Sequence, residues 1–143
     1  MDVFVSRGRL EPGRLRVKGS IAMATVFQDP QTDTASDNLT ALFAPRSVAV
    51  IGASSDQRRF GGRPIQYLLE AGFDGPIYPV NPGREEIQGL KAYPSIKDVP
   101  GAVDCAILAI SADVTQQTVE DCIASGVKSA ILYGAGFSET GAE

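Results

Sequence analysis

The stretch SVAVIGASSDQRRFGGRPIQYLLEAG, residues 47–72, limits the fold of this chain more than any other part of its sequence. Residues 48–51 form an unbroken apolar run and predict a strand over residues 47–51, since such a run is typical of a strand buried on both faces of a parallel sheet. The run stops at Gly52, and a polar loop leads to a helical pattern over residues 62–70, which ends at Gly72. A strand, a glycine turn and a helix form the layout in which many proteins hold a phosphate group near a helix N-terminus.

The sequence that follows repeats this alternation of strands and helices. It predicts strands at residues 77–80, 103–110 and 129–133, and a second helix at 113–125 whose first residues, DVTQ, resemble a capping box. Alternating strands and helices imply right-handed crossovers and therefore a parallel sheet. We predict an α/β fold, a Rossmann-like parallel sheet with helices on both faces, in a single domain.

Residues 1–38 differ in composition from the rest of the chain. Five basic residues stand in the first part, and residues 28–38 are polar and acidic without apolar periodicity. We therefore expect a disordered N-terminal extension over residues 1–38 and a folded domain over residues 39–143. Two other interpretations stay open, a mitochondrial-type presequence interrupted by glycines and a proline, and a natural start at Met23.

Composition excludes several classes of function. A net charge of −4 argues against nucleic-acid binding, and no run reaches the roughly 18 apolar residues of a membrane span. Cys105 and Cys122 lack metal-ligand spacing, so buried free thiols in a reducing cytoplasm are expected. The chain contains no histidine, which removes the commonest general base and metal ligand. We predict no metal site and no catalytic residue.

Small and polar residues follow each predicted strand. In a parallel sheet the carboxyl ends of the strands meet at one edge, where ligands of such sheets bind. Glycine and serine after a single strand can be explained by the turn alone, but such residues after four strands at one edge favour a ligand groove. The residues concerned are Gly52, Ala53 and Ser54, then Asn81 and Pro82, then Ser111 and Ala112, and finally residues 134–136.

The loop after the first strand carries groups suited to a phosphate. Gly52 permits the turn, while Ser54 and Ser55 offer hydroxyls in addition to backbone N–H groups. Arginine side chains can pair with phosphate through two parallel hydrogen bonds, although arginines in loops are usually solvated. We assign this role to Arg84 and to one arginine of the pair Arg58 and Arg59, with Arg58 as the candidate, and we treat Arg63 as surface.

A nicotinamide dinucleotide is the usual ligand of this layout, and two features count against it. The G-x-G-x-x-G fingerprint needs glycine where this chain has Ser54. It also needs an acidic residue after the second strand, where this chain has Asn81. An NAD(P)-binding Rossmann domain remains as an alternative.

Four segments of the chain resemble a known family. LFAPRSVAVIGAS, AGFDGPIYPVNP, EIQGLKAYPSIKDVP and ILYGAGFSETG look like the CoA-binding domain of NDP-forming, chiefly ADP-forming, acyl-CoA synthetases, and more distantly like the succinyl-CoA synthetase alpha subunit. The resemblance extends from Leu39 to the C-terminus and implies coenzyme A as the cofactor. It implies a loop under the CoA phosphates formed by Gly52, Ala53, Ser54 and Ser55. It also implies that Val80, Asn81 and Pro82 lie beside the adenosine, that Arg84 replaces a phosphate-binding lysine, and that Ile110, Ser111 and Ala112 line the groove.

The same resemblance limits what this chain does alone. In the family, an acid, CoA and ATP give acyl-CoA, ADP and phosphate through a phosphorylated histidine in a following domain and through ATP-grasp segments. This chain has no histidine, and Ala135 stands where the alpha subunits have a glutamate. The resemblance therefore implies a CoA-binding part that works with downstream ligase and ATP-grasp domains or a partner subunit. The alternative is a free-standing CoA-binding module without catalysis, although the segment YGAGFSETG looks like the multidomain enzymes.

Overall fold

A five-stranded sheet forms the centre of the protein, which the computed structural model describes over residues 23–26 and 35–132. In chain order the strands are β1 (Met23–Val26), β2 (Val48–Ile51), β3 (Ile77–Val80), β4 (Glu86–Ile87), β5 (Leu90–Lys91), β6 (Cys105–Leu108) and β7 (Ser129–Leu132). The sheet has the order β1, β7, β6, β2, β3. The three pairings from β7 to β3 are parallel, while β1 pairs antiparallel with β7 at the edge. The strands β4 and β5 form a separate hairpin.

Helices cover both faces of this sheet. They are α1 (Ala35–Phe43), α2 (Arg63–Glu70) and α3 (Ala112–Ala124), with a short 3-10 helix at Ile96–Asp98. On one face, Ile65 of α2 packs with Val48 and Val50 of β2, and α1 lies near β7. On the other face, α3 and the 3-10 helix pack against the sheet. The predicted Rossmann-like α/β fold is confirmed. Across the described residues, no helix is long and apolar enough to cross a membrane.

Burial on both faces of the sheet explains why apolar runs, and not alternating patterns, indicate the strands in the sequence. Val48 and Val50 face the side of α2, whereas Ala49 and Ile51 face the side of α3. Because both faces of a strand are covered by helices, every position along it is buried. All four residues of β2 are buried, as this arrangement requires.

Part of the segment predicted to be disordered has regular structure. The strand β1 falls inside residues 1–38, and α1 begins at Ala35 and not at the predicted boundary after residue 38. A four-residue strand shows too little periodicity to be found in a sequence, and its pairing with β7 is a tertiary contact. The remainder of the predicted extension lies outside the described residues.

The ends of the other elements differ in detail from the sequence predictions. The helix α3 begins at Ala112 with Ser111 as its N-cap, and Ser111 makes no side-chain capping hydrogen bond. The predicted capping box is therefore wrong, because Asp113 lies inside the first turn. The strand β6 covers Cys105–Leu108 and is shorter than the predicted range 103–110, since Val103 is buried in the core without pairing in the strand. Tyr133, predicted to end the last strand, lies outside the described residues.

A buried carboxylate joins several segments at the amino edge of the sheet. Asp104 precedes β6 and accepts hydrogen bonds from the backbone N–H of Arg46 at 3.0 Å. It also forms ion pairs with the Arg46 guanidinium at 3.4 Å and with Lys128 at 2.9 Å. The hydroxyls of Ser47 and Ser129 donate to the carbonyls of Ala102 and Asp104, respectively. This cluster fixes the starts of β2, β6 and β7 and lies at the opposite edge from the strand ends discussed next.

Candidate functional site

The four parallel strands end level with one another. Ile51 lies in register with Val80 on one side and with Leu108 on the other, and Leu108 lies in register with Leu132. The residues that follow these positions therefore meet at one edge of the sheet. This is the edge at which the sequence predicted a ligand groove, and it holds the segments beginning at Gly52, Asn81 and Ala109.

Gly52 makes the turn from β2 into the loop. Its φ is +80°, a conformation that side chains other than glycine rarely adopt. A β-carbon at this position would overlap the carbonyl oxygen of Ala109 and would approach Ile110 to 3.0 Å. The N–H groups of Gly52 and Ala53 both donate to the carbonyl of Val80, at 3.0 and 3.2 Å. The turn thus brings the backbone of three strand ends into close contact, with Ile110 of the predicted groove beside it.

The loop from Gly52 to α2 folds back on its own start. The N–H of Ser54 donates to the carbonyl of Gly61 at 3.2 Å, and a β-carbon on Gly61 would overlap the carbonyl oxygen of Gly52. Gly62 is the N-cap of α2. The start of α2 therefore lies directly against the end of β2.

Two N–H groups at the start of α2 are not available to a ligand, although the strand–turn–helix layout predicts that such groups face a phosphate. Gly62 and Arg63 both donate to the carbonyl of Arg59, at 3.0 and 3.2 Å, and Pro64 has no N–H. The loop before α2 offers further donors to a phosphate at this edge. There, Ser54 Oγ accepts the N–H of Asp56 at 3.1 Å, which leaves the Ser54 hydroxyl proton free to donate. Ser55 is exposed.

Asn81 connects the loop to the segment after β3. Its Nδ2 donates to the carbonyl of Ala53 at 2.9 Å, and its Oδ1 accepts the N–H of Gly83 at 2.8 Å. Both ends of the amide are used, so its orientation is fixed. Val80 is buried in the core and contributes its carbonyl, and Pro82 is exposed. Of the three residues predicted beside the adenosine, only Pro82 offers a freely exposed side chain.

The predicted phosphate-binding arginines differ in their surroundings. The Nε of Arg58 donates to Asp56 Oδ1 at 3.2 Å, and Arg59 lies 3.8 Å from Oδ2 of the same carboxylate. Hydrogen bonds from the backbone and then from the side chain of Arg58 lower the pKa of Asp56. Arg84 is exposed, and in the part of the chain that the structure describes its guanidinium has no carboxylate partner. Arg84 is thus better placed than Arg58 to pair with a ligand phosphate.

The start of α3 lies beside the groove and is poorly suited to binding an anion. Ser111 and Ala112 are exposed at the same edge. The carboxylate of Asp113 lies in the first helical turn, and a hydrogen bond from Ser111 followed by one from its own backbone N–H lowers its pKa. A negative charge at this helix start disfavours a phosphate there.

Among the described residues, the groups at this edge are hydroxyls, backbone N–H groups and an arginine, which suit the binding of an anionic ligand. Among residues 23–26 and 35–132, no three His, Cys, Asp or Glu side chains cluster as a metal site would need. Both cysteines are buried, and burial raises the pKa of Cys105 and raises that of Cys122 to about 12. Thiols that stay protonated are poor nucleophiles.

One residue that sequence reasoning missed lies in the hairpin turn between β4 and β5. The Nε2 of Gln88 donates to the carbonyl of Ser54 at 3.1 Å and to that of Gly62 at 2.9 Å. Gly89 could have indicated a hairpin turn, because two-residue turns of this kind need positive φ, whereas glutamine is not typical of the position before it. Nothing in the sequence indicates where the side chain of Gln88 reaches.

Comparison with known proteins gives a consistent result. The family described as "CoA binding domain" matches residues 46–143. The chain is 42% identical over 120 residues to the ADP-forming acetate–CoA ligase II of Archaeoglobus fulgidus, covering 84% of this chain and 18% of that protein. It is 45% identical over 105 residues to the alpha subunit of the ADP-forming acetate–CoA ligase II of Pyrococcus furiosus, covering 73% of this chain and 23% of that protein. The chain therefore spans about a fifth of the length of these relatives.

Solved structures of two kinds resemble this fold. The dinucleotide-forming acetyl-coenzyme A synthetase 1 of Ca. Korarchaeum cryptofilum, in complex with phosphate and ADP, matches with a TM-score of 0.61 and 42% identity over 63% of this chain and 19% of that chain. A hypothetical protein from Pyrococcus horikoshii OT3 matches with a TM-score of 0.57 and 32% identity over 71% of this chain and 72% of that one. The fold thus occurs both as a small part of a large synthetase and as most of a short protein.

Proposed function

Since the chain belongs to the CoA-binding domain family, coenzyme A is its cofactor, and we propose that it serves as the CoA-binding part of an ADP-forming acid–CoA ligase. The observation that carries this proposal is the level row of strand ends, where the loop after Gly52 and the segment after Asn81 are tied together. A groove of this kind, at the carboxyl edge of a parallel sheet, suits a nucleotide-containing ligand.

We propose separate tasks for the groups at this edge. The Ser54 hydroxyl and the exposed Ser55 would donate hydrogen bonds to the CoA phosphates, and Arg84 would pair with a phosphate through its guanidinium. Ile110, Ser111 and Ala112 would form the wall beside them. Arg58 would contribute less than the sequence suggested, because its charge is balanced by Asp56. The chain would hold CoA and present its thiol to chemistry carried out elsewhere.

The complete ligase reaction would require further parts. With no histidine, this chain offers no side chain for a phosphohistidine intermediate. We propose that downstream ligase and ATP-grasp domains, or a partner subunit, supply that residue and the nucleotide site. The relatives support this, because they are several times longer than the matched region and one of them is named as an alpha subunit. Residues 39–143 would form the CoA-binding domain, and two buried free cysteines fit a cytoplasmic protein.

A free-standing CoA-binding module is the second candidate. The observation that favours it is the match to the Pyrococcus horikoshii protein, which covers 72% of that short chain. The segment YGAGFSETG, which favours the multidomain enzymes, follows β7 and lies outside the described residues. An assay for acyl-CoA formation in the presence of the downstream domains separates the two, because a free-standing module would not increase the rate.

Arg84→Ala is expected to weaken CoA binding about tenfold, as the loss of a charge-assisted contact to phosphate predicts. Lys91→Ala is the matched control, because it removes one positive charge from the neighbouring hairpin, where Lys91 lies over the ring of Tyr93. Calorimetric titration with CoA, dephospho-CoA and adenosine measures the effect. The wild-type protein should bind CoA most tightly. Equal affinity for the three ligands, unchanged by Arg84→Ala, would contradict the role of Arg84.

A further inference from the structure

Gln88 occupies a backbone conformation that its residue type disfavours. It lies in the turn between β4 and β5 with φ +51°, followed by Gly89 with φ +79°. In the part of the chain that the structure describes, it is the one non-glycine residue with positive φ. Glycine adopts this conformation at no steric cost, whereas an unbranched side chain such as glutamine is strained there. Backbone strain of this kind points to a role for the side chain.

The side chain of Gln88 joins two ends of one loop. Its Nε2 donates to the carbonyl of Ser54, where the loop begins, and to the carbonyl of Gly62, where α2 begins. Both amide hydrogens are therefore used. The reverse orientation of the amide would place its oxygen against two carbonyl oxygens, so the orientation follows from the surroundings.

The contacts of Gln88 do not serve stability in an obvious way. Its Oε1 is buried, and no hydrogen-bond partner for it exists within the described residues. A buried acceptor without a partner is unfavourable, as is the left-handed backbone. A chain that needed only the hairpin turn would be better served by glycine at this position. The two hydrogen bonds from Nε2 therefore account for glutamine at this position.

What Gln88 holds is the loop that faces the strand-end groove. Most of the loop between Ser54 and Gly62 is exposed, including Ser55 and residues 57–60. Its shape therefore depends on how its two ends are fixed. Gln88, from a hairpin distant in sequence, fixes both ends at once, in addition to the hydrogen bond from the N–H of Ser54 to the carbonyl of Gly61. A loop that is ordered before binding loses less conformational entropy when the ligand arrives.

We propose that Gln88 is a positioning residue for the CoA-binding loop, holding Ser54 and the start of α2 so that the loop can receive the phosphates. This inference rests on the proposed function, because it takes CoA to be the ligand. Gln88 would not contact CoA through Nε2, since both of its hydrogens are engaged by the loop.

Two substitutions separate positioning from stability. Gln88→Gly relieves the backbone strain, and Gln88→Met keeps the length of the side chain but removes its donors. Each also removes the unpaired acceptor, which offsets the two lost hydrogen bonds, so the midpoint of urea unfolding should stay close to that of the wild-type protein. The Kd for CoA should rise about tenfold in both variants. Gln117→Met is the matched control, because it also removes an Nε2 donor, here from an exposed hydrogen bond to Asp121 on α3; it should leave the Kd for CoA unchanged and the unfolding midpoint close to that of the wild-type protein.

Amide hydrogen exchange of the CoA-free protein gives a readout that does not depend on the ligand. Residues 55–61 should exchange faster in Gln88→Gly than in the wild-type protein, while the strands should not change. Wild-type exchange in the loop together with wild-type CoA affinity would overturn the inference. A parallel loss of stability and affinity, in proportion, would also overturn it, because that is the signature of a structural residue. Absence of CoA binding by the wild-type protein would instead overturn the proposed function, and with it the link to CoA.

Discussion

Replacing Gly61 with alanine is expected to lower the free energy of unfolding by about 3 kcal/mol and to weaken CoA binding about a hundredfold. The added β-carbon would overlap the carbonyl oxygen of Gly52, which is backbone and cannot move aside like a flexible side chain. Gly52 is itself fixed by the hydrogen bond from its N–H to the carbonyl of Val80, and the carbonyl of Gly61 accepts the N–H of Ser54. Relief of the overlap would therefore separate the loop from the strand end and open the site.

Gly83→Ala is the matched control for this substitution. Its β-carbon would lie 3.5 Å from Oδ1 of Asn81, which is ordinary contact, and Gly83 is exposed. Its effect on the free energy of unfolding should stay within about 0.5 kcal/mol. Urea unfolding and calorimetric titration with CoA measure the two quantities. A Gly61→Ala protein with wild-type stability and wild-type affinity would show that the loop does not pack against Gly52 as described.

Asp104→Asn is expected to lower the free energy of unfolding by about 2 kcal/mol at neutral pH, the size of effect expected for lost hydrogen bonds to a charged group. The side chain of Asp104 is 7% exposed, while its partners Arg46 and Lys128 are 85% and 40% exposed. Asparagine would present an N–H to one of these donors in place of an acceptor. Because both cations remain in contact with water, the loss should be smaller than for a fully buried ion pair.

The effect of Asp104→Asn should depend on pH. Burial acts to raise the pKa of Asp104, but the hydrogen bond from Arg46 and the contact with Lys128 outweigh it, and the pKa lies below its ordinary value of 3.8. A carboxylate with a lowered pKa stabilises the fold above its unfolded pKa, and this contribution is lost as pH falls through the folded pKa. The difference between variant and wild type should therefore shrink below about pH 4.

Urea unfolding at neutral and acidic pH tests this prediction, with Asp74→Asn as the control at an exposed position. The affinity for CoA should not change in Asp104→Asn, because Asp104 precedes β6 at the edge opposite the site. Equal stability of Asp104→Asn and wild type at neutral pH would contradict the structural role of the cluster.

The parts of the fold that could be predicted from the sequence are those fixed by local pattern. The apolar run of β2 is evident because a strand covered on both faces buries every side chain, whereas β3, at the edge of the sheet, buries only its last two residues. The strands β4 and β5 have two residues each, which is too short to show periodicity. The antiparallel pairing of β1 with β7 depends on a distant segment and leaves no local signal.

The site, like the fold, has parts that the sequence predicts and parts that it does not. Its position at the strand ends follows from topology, and Gly52 could be recognised because a turn directly after a buried strand needs glycine. The contacts between side chains could not be predicted. The pairing of Arg58 with Asp56 depends on how the loop folds, and the contact of Gln88 with Ser54 joins residues 34 positions apart. Asn81 was assigned to the ligand, and the structure shows its amide bonded to Ala53 and Gly83.

Calorimetric titration of the purified chain with CoA, with NAD as the parallel ligand, tests the central claim most directly. The chain should bind one CoA per molecule and should not respond to NAD, because Ser54 and Asn81 stand where a dinucleotide site needs glycine and an acidic residue. Binding of NAD without CoA, or of neither ligand, would contradict the assignment of the strand-end groove to coenzyme A.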